Sequence, residues 1–204
     1  MVNVVRRSSE RPLEAFLVST GIVGLAEMGD KTQLLALVLA ARFRRPAPII
    51  LGILVATLVN HGLAGALGAW ITSAVSADVL RWILGLSFLA MAGWMLIPDH
   101  IEVDQNEKSR FGVFGATLIA FFLAEMGDKT QIATVALAAK YASFYAVVLG
   151  TTFGMMIANV PAVLVGDKVA GKLPLKLIHG IAAGIFAVLG VLAIVNPGGG
   201  TLLG

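Results

Sequence analysis

The segment LAEMGDKTQ occurs twice without a change, at residues 25–33 and 123–131. Each copy brings two carboxylates and one ammonium group, at spacings of three and four residues that place them on one face of a helix. Four carboxylates against two ammonium groups leave a formal charge of about two negative, which one divalent cation would balance. The charged residues are Glu27, Asp30, Lys31, Glu125, Asp128 and Lys129.

Neighbouring side chains could complete the coordination of such a cation. Hydroxyl and amide oxygens follow each acid pair, at Thr32, Gln33, Thr130 and Gln131. An oxygen-rich set suits Ca2+, Mn2+ or Mg2+ rather than Zn2+ or Cu+, because the chain has no cysteine and three histidines. Met28 and Met126 could each add a thioether that favours Mn2+, although a methionine in a membrane helix is more often a packing residue.

The chain around the two motifs is strongly apolar. Hydrophobic residues make up 58% of the 204 residues and charged residues 13%, and the mean hydropathy is +0.90, which indicates a membrane protein. A helix of about 20 apolar residues crosses a bilayer. We therefore predict an all-α polytopic membrane protein with six transmembrane helices. The predicted spans are 15–41, 47–72, 79–97, 111–139, 144–166 and 176–195.

The charged motifs fall inside the first and fourth predicted spans. Six charged side chains near the centre of a bilayer cost roughly 15 to 20 kcal/mol before any partner is found, which favours a functional pathway. A structural alternative pairs Glu27 with Lys31 and Glu125 with Lys129, with each aspartate capping a helix broken at the glycine. This alternative leaves one extra carboxylate in each copy.

Gly29 and Gly127 precede the two aspartates and allow two interpretations. Glycine permits a local helix break that exposes carbonyl groups to a ligand. It also permits close packing of two helices in a membrane. The sequence leaves both open.

The duplication extends beyond the motifs at a constant offset of 98 residues. Ala40-Ala41 match Ala138-Ala139 and Leu51-Gly52 match Leu149-Gly150, so each half is one three-helix unit. Because three is odd, the second unit enters the membrane from the opposite side, as in the inverted repeats of secondary transporters. The predicted organisation is a first repeat at 1–97, an acidic central loop at 98–110 and a second repeat at 111–204.

Basic residues predict the orientation of these spans, because positive charge is enriched in cytoplasmic connections. The side of the membrane with more basic residues in its connections is expected to be cytoplasmic. The connections on the opposite side carry only Arg81 and Lys140, and the N-terminal tail adds three arginines to that opposite side. We expect the central loop to be cytoplasmic and both termini to be outside. The basic residues of the expected cytoplasmic side are Arg42, Arg44, Arg45, Lys108, Arg110, Lys168, Lys172 and Lys176.

Charge also predicts a mechanism for the two motifs. Four carboxylates in a poorly solvated place take up protons when no metal is bound, because desolvation and mutual repulsion oppose full ionisation. A metal ion binds the ionised form and expels those protons. If the loaded site faces either side in turn, the result is exchange of a cation for protons.

Three more polar residues lie in mid-span, Asn60 and His61 in the second helix and Asn159 in the fifth. Any of them could orient a motif carboxylate or relay protons. A lone polar residue at such a place is at least as often a helix-to-helix hydrogen bond.

The motif EMGDKT at 27–32 and again at 125–130 resembles the GDT family of cation/proton exchangers, which handle Mn2+ and Ca2+ in Golgi, chloroplast and bacterial membranes. The resemblance covers essentially the whole chain. It implies that Glu27, Asp30, Glu125 and Asp128 bind the cation. It also implies a Mn2+ exporter of a prokaryotic cell membrane, since the chain lacks the N-terminal targeting extension of eukaryotic members.

The sequence gives less support to three other functions. An intramembrane aspartyl protease also uses two aspartates, but Lys31 and Lys129 would hold Asp30 and Asp128 ionised, whereas a protease dyad shares a proton. A small-solute exporter of the amino-acid type has a similar layout, and an ion channel is a third alternative. We expect no enzymatic activity, no cofactor and no nucleic-acid partner. The expected partners are a divalent cation, protons and the bilayer.

Overall fold

The computed structural model of the chain describes residues 2–97, 112–165 and 175–195. The described residues form α-helices and no strand, so the all-α prediction is confirmed for them. The predicted central loop at 98–110 lies outside these residues. The helices are α1 (Val2–Glu27), α2 (Lys31–Phe43), α3 (Pro46–Ala74), α4 (Ala77–Trp94), α5 (Gly112–Glu125), α6 (Lys129–Tyr141), α7 (Phe144–Val165) and α8 (Leu175–Val195).

Each motif interrupts the helical span predicted around it. The first predicted span consists of α1 and α2, and the fourth consists of α5 and α6. Gly29 and Gly127 have φ angles of 80° and 76°, in the left-handed region that a helix cannot contain and that glycine adopts without strain. Of the two interpretations of these glycines, the helix break is therefore correct.

Two of the described helices are long and apolar enough to cross a membrane by length and composition, namely α3 and α7. The apolar helix α5 and the apolar part of α8 are shorter. Large apolar side chains are exposed on several of these helices, for example Leu63, Trp70 and Leu164. An apolar outer surface of this kind suits contact with lipid.

The two halves of the chain interlock. The first helix of each half packs chiefly on a helix of the other half, α1 on α7 and α5 on α3, and α4 packs on α8. Close approach at glycines makes this possible: a Cβ atom on Gly52 would lie 2.8 Å from Thr117 Cβ, and one on Gly150 would lie 3.0 Å from Ser19 Cβ. Gly150 lies 98 residues after Gly52, and Thr117 lies 98 residues after Ser19, so the two contacts are equivalent in the repeat.

Other features also repeat at this offset. Arg44 and Ala142, which end α2 and α6, both adopt left-handed backbone, with φ angles of 51° and 47°. Phe88 and Phe186 stack on each other with ring centroids 6.2 Å apart. The sequence repeat therefore has a counterpart in backbone conformation and in packing.

Apolar side chains are buried in two clusters. One contains residues of α1, α4, α6 and α8, and the other contains residues of α2, α3 and α5, while α7 contributes to both. The chain passes from one cluster to the other at each motif, from α1 to α2 and from α5 to α6. The motif charges thus lie at the two places where the chain changes cluster.

The crossing of α1 and α7 can be tested at Gly150. In a Gly150→Ala variant, the added Cβ would lie 2.5 Å from the backbone oxygen of Phe16, so the two helices must move apart. We expect overpacking to cost about 1 to 3 kcal/mol and to lower the midpoint of thermal unfolding in detergent. Gly62→Ala is the matched control, because nothing lies within 4 Å of its added Cβ. Equal midpoints for the two variants would contradict this packing.

Candidate functional site

Each motif forms a tight turn between two helices. In the first copy, Asp30 N–H donates to the Glu27 carbonyl oxygen at 3.1 Å, and Gly29 N–H donates to Gln33 Oε1 at 2.9 Å. In the second copy, Gly127 N–H donates to Gln131 Oε1 at 2.7 Å. The glutamine oxygens proposed as cation ligands therefore hold the turns, because they accept backbone hydrogen bonds.

Asp30 and Asp128 occupy the N-cap positions of α2 and α6. Neither side chain accepts a hydrogen bond from its own helix as a capping residue would. The carboxylates are instead directed at the other copy of the motif. The structural alternative, in which each aspartate caps its helix, thus matches the backbone position but not the side chain.

The lysines pair across the two motifs. Lys31 Nζ lies 2.6 Å from Asp128 Oδ1, and Lys129 Nζ lies 3.2 Å from Asp30 Oδ1. Pairing within each copy, between Glu27 and Lys31 or between Glu125 and Lys129, is thus not the arrangement in the structure. The helix break explains the difference, since each glutamate ends one helix and each lysine begins the next.

Three of the four motif acids form a buried carboxylate cluster, consisting of Glu27, Glu125 and Asp128. One ligand oxygen from each lies within 4.8 Å of the others. Glu27 Oε2 accepts from the Thr32 hydroxyl at 2.5 Å, and Glu125 Oε2 accepts from the Thr130 hydroxyl at 3.3 Å. The two threonines therefore orient the glutamates.

Each acid of the carboxylate cluster keeps one oxygen available. Within the described part of the chain, Glu27 Oε1, Glu125 Oε1 and Asp128 Oδ2 are buried and accept no hydrogen bond. A buried acceptor without a partner is costly, and a bound cation would satisfy it. The fourth motif acid, Asp30, is equally buried and lies against Lys129.

The two identical motifs have different surroundings. The Lys31 side chain is 25% exposed, whereas the Lys129 side chain is 2% exposed. Met126 is 55% exposed and Met28 is partly buried. Met126 is therefore not part of the buried carboxylate cluster, and the two copies differ in opposite ways, since the first has the more exposed lysine and the second has the more exposed methionine.

The side chains of Asn60 and Asn159 donate hydrogen bonds to backbone carbonyl groups of helices. Asn60 Nδ2 donates to the Phe122 carbonyl oxygen of α5 at 3.1 Å, and Asn159 Nδ2 donates to the Met155 carbonyl oxygen of α7 at 3.1 Å. His61, the third of the mid-span polar residues that could act on a motif carboxylate, lies closer to the acids, with Nε2 4.0 Å from Glu125 Oε2. Its mid-span position beside Asn60 was the only sequence signal for it.

Comparison with known proteins identifies the family. A family model described as divalent cation/proton antiporter GDT1 matches residues 15–102 and 113–199, one segment in each half of the chain. The chain belongs to this family. The resemblance carried by the two EMGDKT motifs is confirmed, and the antiporter is an integral membrane transporter rather than an enzyme. The aspartyl protease alternative is therefore wrong.

Individual relatives agree with the family match. A Vibrio cholerae protein named "Putative manganese exporter" is 50% identical over 182 residues, which cover 89% of this chain and 90% of that protein. A GDT1-like protein of Synechocystis is 31% identical over 87% of this chain and 96% of its own length. GDT1-like protein 4 of indica rice is 29% identical over 78% of this chain and 66% of its own length. No solved structure matches the antiporter with statistical significance.

The crossed ion pairs predict unequal roles for the two lysines in stability. Removal of the buried ammonium group in Lys129→Gln leaves Asp30 without its charge partner, which typically costs about 3 to 5 kcal/mol. Lys31 in the Lys31–Asp128 pair is partly exposed, so Lys31→Gln should cost less. We expect a larger fall in the thermal unfolding midpoint for Lys129→Gln at neutral pH.

The double variant Lys129→Gln with Asp30→Asn is the control for this comparison. It removes both charges and should recover part of the lost stability. Equal midpoint shifts for the two single variants, without recovery in the double variant, would contradict the crossed pairing.

Proposed function

We propose that this antiporter exports Mn2+ from the cytoplasm of a prokaryotic cell in exchange for protons. The observation that carries the proposal is the buried carboxylate cluster, to which both motifs contribute ligands. The family supplies the reaction class, and the name of the Vibrio cholerae relative suggests Mn2+ as the ion. Ca2+ is the second candidate ion, since the cluster offers carboxylate oxygens.

The spacing of the carboxylates suits one cation. Bonds of about 2.1 to 2.4 Å place two ligand oxygens of one ion roughly 3 Å apart in adjacent positions and up to about 4.8 Å apart in opposite positions. The three acids offer oxygens within 4.8 Å of one another, which fits this range. A divalent ion there would balance charge that Lys31 and Lys129 leave uncompensated.

Proton coupling follows from the same charges. Glu27, Glu125 and Asp128 lie together in a buried place, where three ionised carboxylates repel one another when no cation is bound. Protons bound to the cluster relieve this repulsion, and an incoming Mn2+ displaces them. Because one site holds either the metal or protons, but not both, transport of Mn2+ in one direction requires transport of protons in the other.

Six membrane crossings as two inverted repeats would give this site access to both sides. On this proposal, α1 with α2 and α5 with α6 are two broken spans, and the repeats extend over 1–97 and 111–204 around the loop at 98–110. The equivalent contacts at Gly52 and Gly150 support the internal two-fold relation. Broken helices that meet near mid-membrane are typical of ion sites in secondary transporters.

Alternating access would exchange the surroundings of the two motifs. In the structure Lys31 is the more exposed lysine and Lys129 the more buried one. Because the motifs are identical, a state that faces the other side would have the two lysines in exchanged environments. The distribution of basic residues favours a cytoplasmic central loop with both termini outside.

Transport into liposomes tests the reaction. Purified antiporter should accumulate Mn2+ only when a pH gradient is imposed, and Asp128→Asn should lower the rate by about tenfold to a hundredfold or more, because a ligand and a proton-binding group are lost together. Asp78→Asn is the matched control, since Asp78 is a solvent-exposed acid paired with Arg81. Flux of Mn2+ that is indifferent to the pH gradient would contradict antiport.

Cysteine accessibility tests alternating access. The chain has no cysteine, so Met28→Cys and Met126→Cys each place one thiol at equivalent positions of the two turns. We expect Met126→Cys to react faster with a water-soluble maleimide in the state described here, because Met126 is the more exposed residue. Under conditions that favour the state facing the other side of the membrane, Met28→Cys should react faster than Met126→Cys. An unchanged ratio of rates under all conditions would contradict an exchange of environments.

A further inference from the structure

A buried histidine lies next to the carboxylate cluster. His61, on α3, has no exposed surface, and its Nε2 atom is 4.0 Å from Glu125 Oε2. Among the residues that the structure describes, neither Nδ1 nor Nε2 has a hydrogen-bond partner. A buried imidazole without partners is costly, so its position beside buried acids requires an explanation.

The distance from His61 to Glu125 suits two ligands of one metal ion. Two ligand atoms with bonds of about 2.1 to 2.4 Å are roughly 3 Å apart in adjacent positions and at most about 4.8 Å apart in opposite positions. The observed 4.0 Å lies between these limits. A cation that Glu125 holds through Oε2 is therefore within reach of His61 Nε2, although His61 lies outside the group of three acids whose ligand atoms are all within 4.8 Å of one another.

An imidazole nitrogen changes which cation the site prefers. Ca2+ and Mg2+ take oxygen ligands, whereas imidazole is a ligand of transition metals. We propose that His61 Nε2 coordinates the transported cation and makes the site select Mn2+ over Ca2+. This inference rests on the proposed function and adds a nitrogen ligand from outside the two motifs.

The repeat supplies an internal comparison for this position. The residue 98 positions after His61 is Asn159, whose Nδ2 donates to Met155 Sδ at 2.9 Å as well as to the Met155 carbonyl oxygen. The corresponding place in the second repeat thus carries an amide engaged within its own helix. The two motifs are identical, but the imidazole comes from one repeat only.

Pulsed electron paramagnetic resonance of the Mn2+-loaded full chain tests the nitrogen ligand directly. The chain has three histidines, so the double variant His100→Gln and His179→Gln leaves His61 as the only one. With natural histidine, we expect a 14N coupling of directly bound imidazole, which changes to a 15N coupling when the protein is grown with 15N-histidine. With the label confined to the imidazole ring, backbone nitrogen does not respond to it.

Selectivity is the second measurement. His61→Gln should lower the ratio of Mn2+ uptake to Ca2+ uptake in liposomes by about tenfold or more, and Ca2+ uptake should be retained. Thr151→Val is the matched control, because Thr151 is a buried polar residue whose hydroxyl donates to Val148 of its own helix. It should leave the ratio unchanged, since it changes no ligand.

The outcomes separate this inference from the proposed function. Bound Mn2+ without histidine coupling, together with pH-driven Mn2+ uptake, overturns the role of His61 and leaves the antiport proposal standing. Absence of both Mn2+ binding and pH-driven uptake overturns both. If His61→Gln does not fold, the labelled variant with His61 as its only histidine still decides the question.

Discussion

The balance of charge inside an apolar protein is the constraint on which the rest of this structure depends. Six ionisable side chains are placed within two short segments, where uncompensated charge is costly because the dielectric constant is low. The crossed pairs, Lys31 with Asp128 and Lys129 with Asp30, tie each motif to the other. The two halves of the chain are therefore joined by charge at the same place where their helices interlock.

The broken helices decide how the charges of the two motifs are paired. A continuous helix would keep Glu27 and Lys31 on one face, where they would pair with each other. The left-handed glycine between them ends one helix and starts another, and the glutamine three residues after the aspartate holds the turn by a backbone hydrogen bond. As a result the lysine is directed at the other motif, and the glutamate is available to the carboxylate cluster.

Identical motifs nevertheless form an asymmetric site. The carboxylate cluster draws two acids from the second motif and one from the first, and the two lysines differ in exposure. A protein with two equivalent halves can adopt two asymmetric states of similar energy, with the roles of the halves exchanged. In secondary transporters with inverted repeats, this property allows a single site to face either side of the membrane in turn.

The amino-acid sequence by itself determined the helical class, the duplication at an offset of 98 residues, the acids and the family, because these depend on composition, periodicity and an exact repeat. Tertiary structure decided the pairing, since local spacing favours Glu27 with Lys31 and only the packing of the two halves brings Lys31 to Asp128. It also decided which three acids gather and that His61 lies beside Glu125, because contacts between residues far apart in the chain depend on how α3 packs against the motif helices.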